Sequence, residues 1–409
     1  MNRNEMDRVR DLLREPPPPS AEVSAKALAT LEGEMGGKRA GTSRAGRRRF
    51  GLGWPAGLGL GWPAGLGLGL VAAGAAAAVA ITLTGQGAGP GAPDAPSGVD
   101  LNRQAVLAAA AKVELAPTGD YWYTDRIDGQ SYIVRAKTGT YAITGAASES
   151  FNWTGVEKGT GEAYYGRDLP ARPLTPQDAA AWKRAGSPTS FRVWSNDHYS
   201  TYTAKATKWR SQGPEVGIDP DGGGSFLGKP AEEWQNLPTD PGELAEMFLN
   251  DTEVNRGMGA APSTGKKPSA SQAAYARIWR TASILGGVPA PPKVRAGLMR
   301  ALAAQPGIEA IGRASDPLGR RGVALASPED SVTVTGEYGT PKAEQGTYRH
   351  RQVIVFDERS GALLSVQDQL TRPGGPYAEM KPGFVINYVA VRSSGWTGGK
   401  PKPPAELPF

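Results

Sequence analysis

The sequence predicts an α+β protein: a large curved antiparallel sheet with helices packed on it, preceded by one transmembrane helix and a short helical cytoplasmic arm. Three observations predict it. Between Tyr121 and Arg392 many β-prone runs are joined by short turns. Helical patterns fall only at the start and in the middle of that region, so strands and helices do not alternate as a parallel sheet requires. Upstream, Phe50–Pro93 contains no charged residue while charges pepper both flanks.

Those features divide the chain into a basic arm (1–50), a Gly/Ala-rich membrane segment (51–84), a Gly/Pro linker (85–100), an outer α+β domain (101–398) and a Pro-rich tail (399–409). In the arm, Glu5–Arg14 reads as a short helix with Met6, Val9 and Leu13 on one face, stopped by Pro16–Pro19. Ser20 can cap a second helix carrying Val23, Ala27, Leu31 and Met35. Two such helices cannot build a core alone. Either they fold on a cytoplasmic regulatory protein, or they lie on anionic lipid through the nearby arginines.

Leu66–Thr84 is the span. Its 19 residues, at a rise of ~1.5 Å each, reach ~28 Å, close to the thickness of a bilayer's hydrocarbon core. Arg47, Arg48 and Arg49 close a basic run with no acid after Glu34, and the next positive residue is Arg103. The positive-inside rule therefore puts the N-terminus in the cytoplasm and the large domain outside a cell membrane crossed once. The fifty residues ahead of the apolar run set it apart from a cleavable signal peptide. The sequence GLGWPAGL occurs twice, at 51–58 and 59–66, and places Gly53, Gly57, Gly61, Gly65 and Gly69 four residues apart. This is either a small-residue face that lets two copies pack as a homodimer or a permissive spacer.

Beyond the linker, Leu101–Leu115 reads as a helix with Leu101, Ala105, Ala108, Lys112 and Leu115 on its buried stripe. Asp120–Val134 reads as a hairpin turning at Asp128-Gly129. Separate strands follow near Thr140–Thr144, Ser150–Thr154 and Glu162–Tyr165. Thr175 caps a helix closed by Gly186, strands Phe191–Trp194 and Tyr199–Thr203 flank a turn, and Asp240 opens another helix. A helix through Tyr275 and Trp279 stops at Gly286-Gly287, and Pro291-Pro292 opens the next. Six strands then run from Ile308 to Arg392. The apolar run Val353–Phe356 marks one of them as central, covered on both faces.

The chemistry is bounded mainly by what is missing. With no cysteine, the chain has no disulfide, thiolate zinc site or cysteine nucleophile. Of the net charge of +6, the arm contributes eleven basic against seven acidic residues, so the outer domain is nearly balanced and no nucleic-acid partner is expected. His198 and His350 lack partners at metal-binding or triad spacing. Gly259–Lys267 misses the phosphate-loop spacing, and Asp219-Pro-Asp221-Gly lacks the glutamate that closes a calcium loop. No catalytic, cofactor-binding or metal residue is nominated, and no cofactor. The aromatic load remains: Tyr121, Trp122, Tyr123 and Trp153 either line a groove for an apolar or peptide envelope ligand or fill the core.

The opening MDRVRDLLREPPPPS, the segments GDYWYT and LPTDPGEL, and above all 291–325 followed by VIVFDERSGALLS resemble a family of bacterial single-pass membrane proteins. Its members are often companions of extracytoplasmic-function sigma factors, and the resemblance implies an anti-sigma-like or envelope-sensing role. It assigns no activity and no binding residue. The arm departs from zinc-binding anti-sigma domains in having no His or Cys. The outer half is loosely similar in pattern to the sheet-and-helix folds of lipoprotein carriers. The expected function is thus a non-enzymatic membrane-anchored sensor or accessory regulator, with a membrane-tethered lipid or lipoprotein carrier as the alternative.

Overall fold

The β-prone runs after Asp120 form strands, and the four expected between Asp120 and Thr154 merge into two long ones. The computed structural model describes residues 100–195, 197–211, 218–257 and 268–409. The arm, the glycine repeat, the span at 66–84 and the phosphate-loop-like stretch lie outside the described residues. Among the described residues no helix is long and apolar enough to cross a membrane.

Strand β1 (Tyr121–Ala136) runs unbroken through Asp128-Gly129, and the reversal into β2 (Gly139–Gly155) comes at Lys137-Thr138. The expected hairpin turn is therefore a mid-strand pair. Gly129 is there for space: a Cβ would stand 2.2 Å from the Tyr388 ring. Asp128 is held by Arg126 through two hydrogen bonds of 2.8 and 2.9 Å, so neither residue is free to turn the chain. The two strands expected at 140–144 and 150–154 are one, β2, because the register with β1 slips only locally between Gly129 and Ser131.

The remaining strands are β3 (Glu162–Asp168), β4 (Arg172–Pro173), β5 (Ser190–Ser195), β6 (His198–Thr203), β7 (Arg210–Ser211), β8 (Ile218–Asp219), β9 (Ser225–Phe226), β10 (Lys229–Pro230), β11 (Glu309–Ser315), β12 (Arg321–Ala326), β13 (Asp330–Val334), β14 (Gly346–Asp357), β15 (Leu363–Arg372) and β16 (Val385–Thr397). Twelve of them make one sheet in the order β11-β12-β14-β15-β16-β1-β2-β3-β7, with β13 on β14, β4 on β2 and β8 on β3. All its pairings are antiparallel. The first and last long strands of the domain pair with each other at its centre, so the sheet closes only when both halves of the domain are present.

One face is covered by helices. These are α1 (Leu101–Val113), α4 (Pro241–Phe248), α6 (Ala270–Gly287) and α7 (Pro292–Ala303), joined by the short α3 (Ala231–Gln235); α2 (Pro176–Arg184) and α5 (Asp251–Gly257) complete the set. The apolar faces of α1, α3, α4, α6 and α7 meet Trp122, Ile354, Phe356, Leu363 and Val391 in the largest core cluster, while α2 packs in a separate one with Tyr132, Tyr141 and Ile143. Val353 to Phe356 are fully buried, alternating between that cluster and a second one with Ala324 and Leu364, as expected for a strand covered on both faces. The buried stripe of α1 differs from the expected one. Val106, Ala109, Ala110 and Val113 face inward, while Leu101 and Leu115 are 76% and 85% exposed. The alanines allow close packing on α7, and Asp100 sets the start of the helix by accepting from the Arg103 amide at 3.0 Å.

At α2 the expected cap is present: the Thr175 hydroxyl accepts from the Asp178 amide, and the Asp178 carboxylate accepts from the Thr175 amide. The same carboxylate also accepts from the Ala142 amide of β2 at 2.8 Å. Because it ties the helix to the sheet as well as capping it, Asp178→Ala is expected to lower the unfolding free energy by about 1–2 kcal/mol in a urea titration.

Candidate functional site

Alternation along β1 splits the aromatic residues singled out in the sequence. Trp122 points to the helices: it is 2% exposed, donates from Nε1 to Gly286 O at 3.1 Å, and lies under the Arg295 guanidinium at 4.6 Å. Tyr121 and Tyr123 point the other way. They join Phe151, Trp153, Tyr165 and Trp209 in one aromatic cluster, with Tyr121 edge-on to Trp153 at 5.6 Å and Tyr123 6.0 Å from Phe151. Three of the four named aromatics therefore share a face and the fourth fills the core.

The same period of two carries charge onto the aromatic face. Asp125 follows Tyr121 and Tyr123 on β1, and Glu149 precedes Phe151 and Trp153 on β2. Asp125 and Glu149 are 2% and 0% exposed and lie close enough for each to act on the other's charge. Two arginines answer them. Arg167 stands directly opposite Glu149 in the β2–β3 register and donates from Nε to Oε2 at 2.6 Å. Arg392 is the extra residue of a bulge where β16 passes Asp125, and this turns its Nη1 to Glu149 Oε1 at 3.0 Å. Its Nε lies 3.9 Å from Asp125 Oδ2. Burial, and then the neighbouring Glu149, push the Asp125 carboxyl up to about 7; the two arginines oppose that rise only in part. Asp125 is therefore the carboxyl of this cluster that burial disposes to hold its proton.

Over this face lies the Pro-rich segment Lys400–Phe409, which the sequence leaves as a separate tail. It has no helix or strand of its own. Trp209 Nε1 donates to Pro404 O at 2.7 Å, Arg167 to Ala405 O at 3.2 Å and Glu406 O at 2.6 Å, and Arg392 to Glu406 O at 3.1 Å. The Arg172 guanidinium covers the Phe409 ring at 3.7 Å, and Lys400 Nζ sits 5.4 Å from the Trp153 ring. The carboxyl pair is consequently roofed and bound on both sides by guanidinium groups, not open at a cleft floor.

A cleft of about 180 Å³ opens elsewhere, between the far half of β1, β5, β13 and the 3-10 turn Gly375–Tyr377. Tyr132 OH lies at 2.9 Å from Ser195 Oγ and 3.0 Å from Tyr202 OH, and burial raises its pKa. Thr333, Thr335 and Glu344 add polar groups, and Tyr377 an aromatic wall. Arg135 holds Glu344 at 2.6 Å and Glu379 at 3.0 Å; burial nonetheless leaves the Glu344 carboxyl above its ordinary value.

Sequence reasoning passed over Asp125, Glu149, Arg167 and Arg392, and counted Trp209 only within the general aromatic load of the domain. The signal for the first two was present, since Tyr121-x-Tyr123-x-Asp125 and Glu149-x-Phe151-x-Trp153 put a carboxylate in line with aromatics on one strand face. His198 is exposed beside Asp197, and His350 is buried in β14, 3.5 Å from Asp368. Among the described residues no group of three or more His, Asp or Glu could hold a metal ion. No family model, curated protein or solved structure matches the chain.

Proposed function

We propose that the chain is a membrane-anchored sensor or accessory regulator, crossing the cell membrane once. Its curved-sheet domain receives an envelope ligand outside, and its basic arm engages a regulatory protein, such as a sigma factor, inside. The cleft beside Tyr132 carries this reading. It gathers hydroxyls from β1, β5 and β13 against aromatic walls, a lining that suits a small polar ligand with an apolar face. Three segments far apart in sequence meet there, so occupancy would couple the β5–β6 hairpin to the main sheet. The charge asymmetry across the apolar stretch supports the topology, and the resemblance to companions of sigma factors supports the inner partner.

Thr335 is exposed at the edge of the cleft, so Thr335→Trp should obstruct it while leaving the fold intact. The full chain in lipid nanodiscs, purified from native membranes, is expected to release a low-mass ligand on denaturation, and the Thr335→Trp chain to release less than about a tenth as much. Identical releases from both would remove the cleft from the reading.

A further inference from the structure

The contacts of Lys400–Phe409 are those of a bound peptide. No residue from 400 to 409 is buried, and none belongs to a core cluster. Pro401, Pro403, Pro404 and Pro408 are half-buried, while Lys402, Ala405, Glu406, Leu407 and Phe409 are exposed. The sheet reads the segment through the carbonyls of three consecutive residues, Pro404 to Glu406, using side-chain donors of Trp209, Arg167 and Arg392. Four prolines in ten residues fix φ near the extended polyproline value, and aromatic faces with side-chain donors are how such segments are recognised.

The donors do not need the segment to hold them in place. Arg167 and Arg392 are anchored from below by Glu149, and Trp209 lies under the Arg167 guanidinium at 4.3 Å. A surface built in advance loses little freedom when a ligand arrives. The segment is also hinged. Gly398 and Gly399 precede it; a Cβ at either would meet no atom within 4 Å, and Gly399 is hydrogen bonded there only to the Thr397 hydroxyl, two residues away.

We propose that this aromatic and arginine face is a docking surface for an extended proline-rich peptide of a partner protein, and that Lys400–Phe409 is its resident, exchangeable occupant. The partner segment offers consecutive outward carbonyls over Trp209, Arg167 and Arg392, a basic residue toward Trp153 and an aromatic residue beneath Arg172. This surface is separate from the cleft, and either assignment can stand without the other. While the resident segment is attached by a short flexible joint its effective concentration is on the order of millimolar, so the partner binds only when it exceeds that competition.

The test uses the full chain in nanodiscs, a chain ending at Gly399, and a fluorescent synthetic peptide of residues 400–409 as probe. The shortened chain is expected to bind the probe with a micromolar Kd, and the intact chain at least about tenfold more weakly. Trp209→Ala in the shortened chain should weaken binding about tenfold, and a probe with its four prolines replaced by alanine should bind about tenfold more weakly than the original. The proposal is overturned if the shortened chain is folded by circular dichroism yet fails to bind at about 1 mM, if intact and shortened chains bind alike, or if the alanine probe binds as well. Should the shortened chain not fold, a protease site between Gly398 and Gly399 lets the segment be cut from the folded protein. Exchange of the cut segment for the probe then supports the proposal, and its retention without exchange rejects it.

Discussion

Trp122→Ala is expected to lower the unfolding free energy by about 3–5 kcal/mol, the range for removing a large aromatic side chain from a packed core. The indole touches three parts of the fold at once: Gly286 O at the end of α6, the Trp396 ring at 5.7 Å on β16, and the Arg295 guanidinium on α7. Arg295 makes the loss larger than area alone suggests. Burial holds its pKa down to about 10, and the indole face is the π surface against which this buried cation rests. Arg295→Met in the native background should be neutral or stabilising, because a buried charge is replaced by an apolar chain of similar length. The same change on top of Trp122→Ala should recover part of the loss. A double-mutant cycle by urea unfolding is expected to give a coupling of about 0.5–2 kcal/mol. A coupling near zero would mean that the ring and the guanidinium are merely adjacent.

Most of the fold was legible because its signals are local. Thr175 and Asp240 mark helix starts through their own side chains, and Val353–Phe356 marks a central strand by unbroken apolarity. The misreadings share a cause. Asp128-Gly129 has the composition of a turn, yet the space above Gly129 belongs to Tyr388, 259 residues later in the chain, and no local pattern reveals that the glycine makes room for a distant ring. In α1 the alanines carry almost no periodic signal, and the terminal leucines that suggested a stripe are the exposed ones.

The site was less legible for a related reason. A carboxylate on a strand reads as solvent-facing unless its counter-charge is known, and the counter-charges of Asp125 and Glu149 come from β3 and from a bulge in β16. The Pro-rich segment reads as a free tail because its recognition uses main-chain carbonyls, which no side-chain pattern encodes. Trp209 showed only as one more aromatic, since its value lies in the direction of its N–H.

Asp125→Asn is expected to change the pH dependence of stability more than its size at any one pH. In the native protein the Asp125 carboxyl titrates near 7, against an ordinary value of 3.8, because it is buried beside Glu149. Between those two values the folded state holds a proton that the unfolded state has released. Stability from this group is therefore fully present below about 3.8 and is lost as pH rises through about 7, with a slope of at most about 1.4 kcal/mol per pH unit. The charge of Glu149 adds to the rise, and Arg167 and Arg392 oppose it without reversing its sign. Asparagine has no proton to lose, yet its amide can still donate to Glu149. Urea unfolding of the full chain from pH 5 to 8 should show native stability falling with pH and the variant's curve flatter, so that the variant gains on the native protein by at least about 1 kcal/mol across that range. Parallel curves would show that the folded state does not hold the Asp125 proton, and the guanidinium groups of Arg167 and Arg392 would then be balancing a charged Asp125 beneath the proline-rich segment.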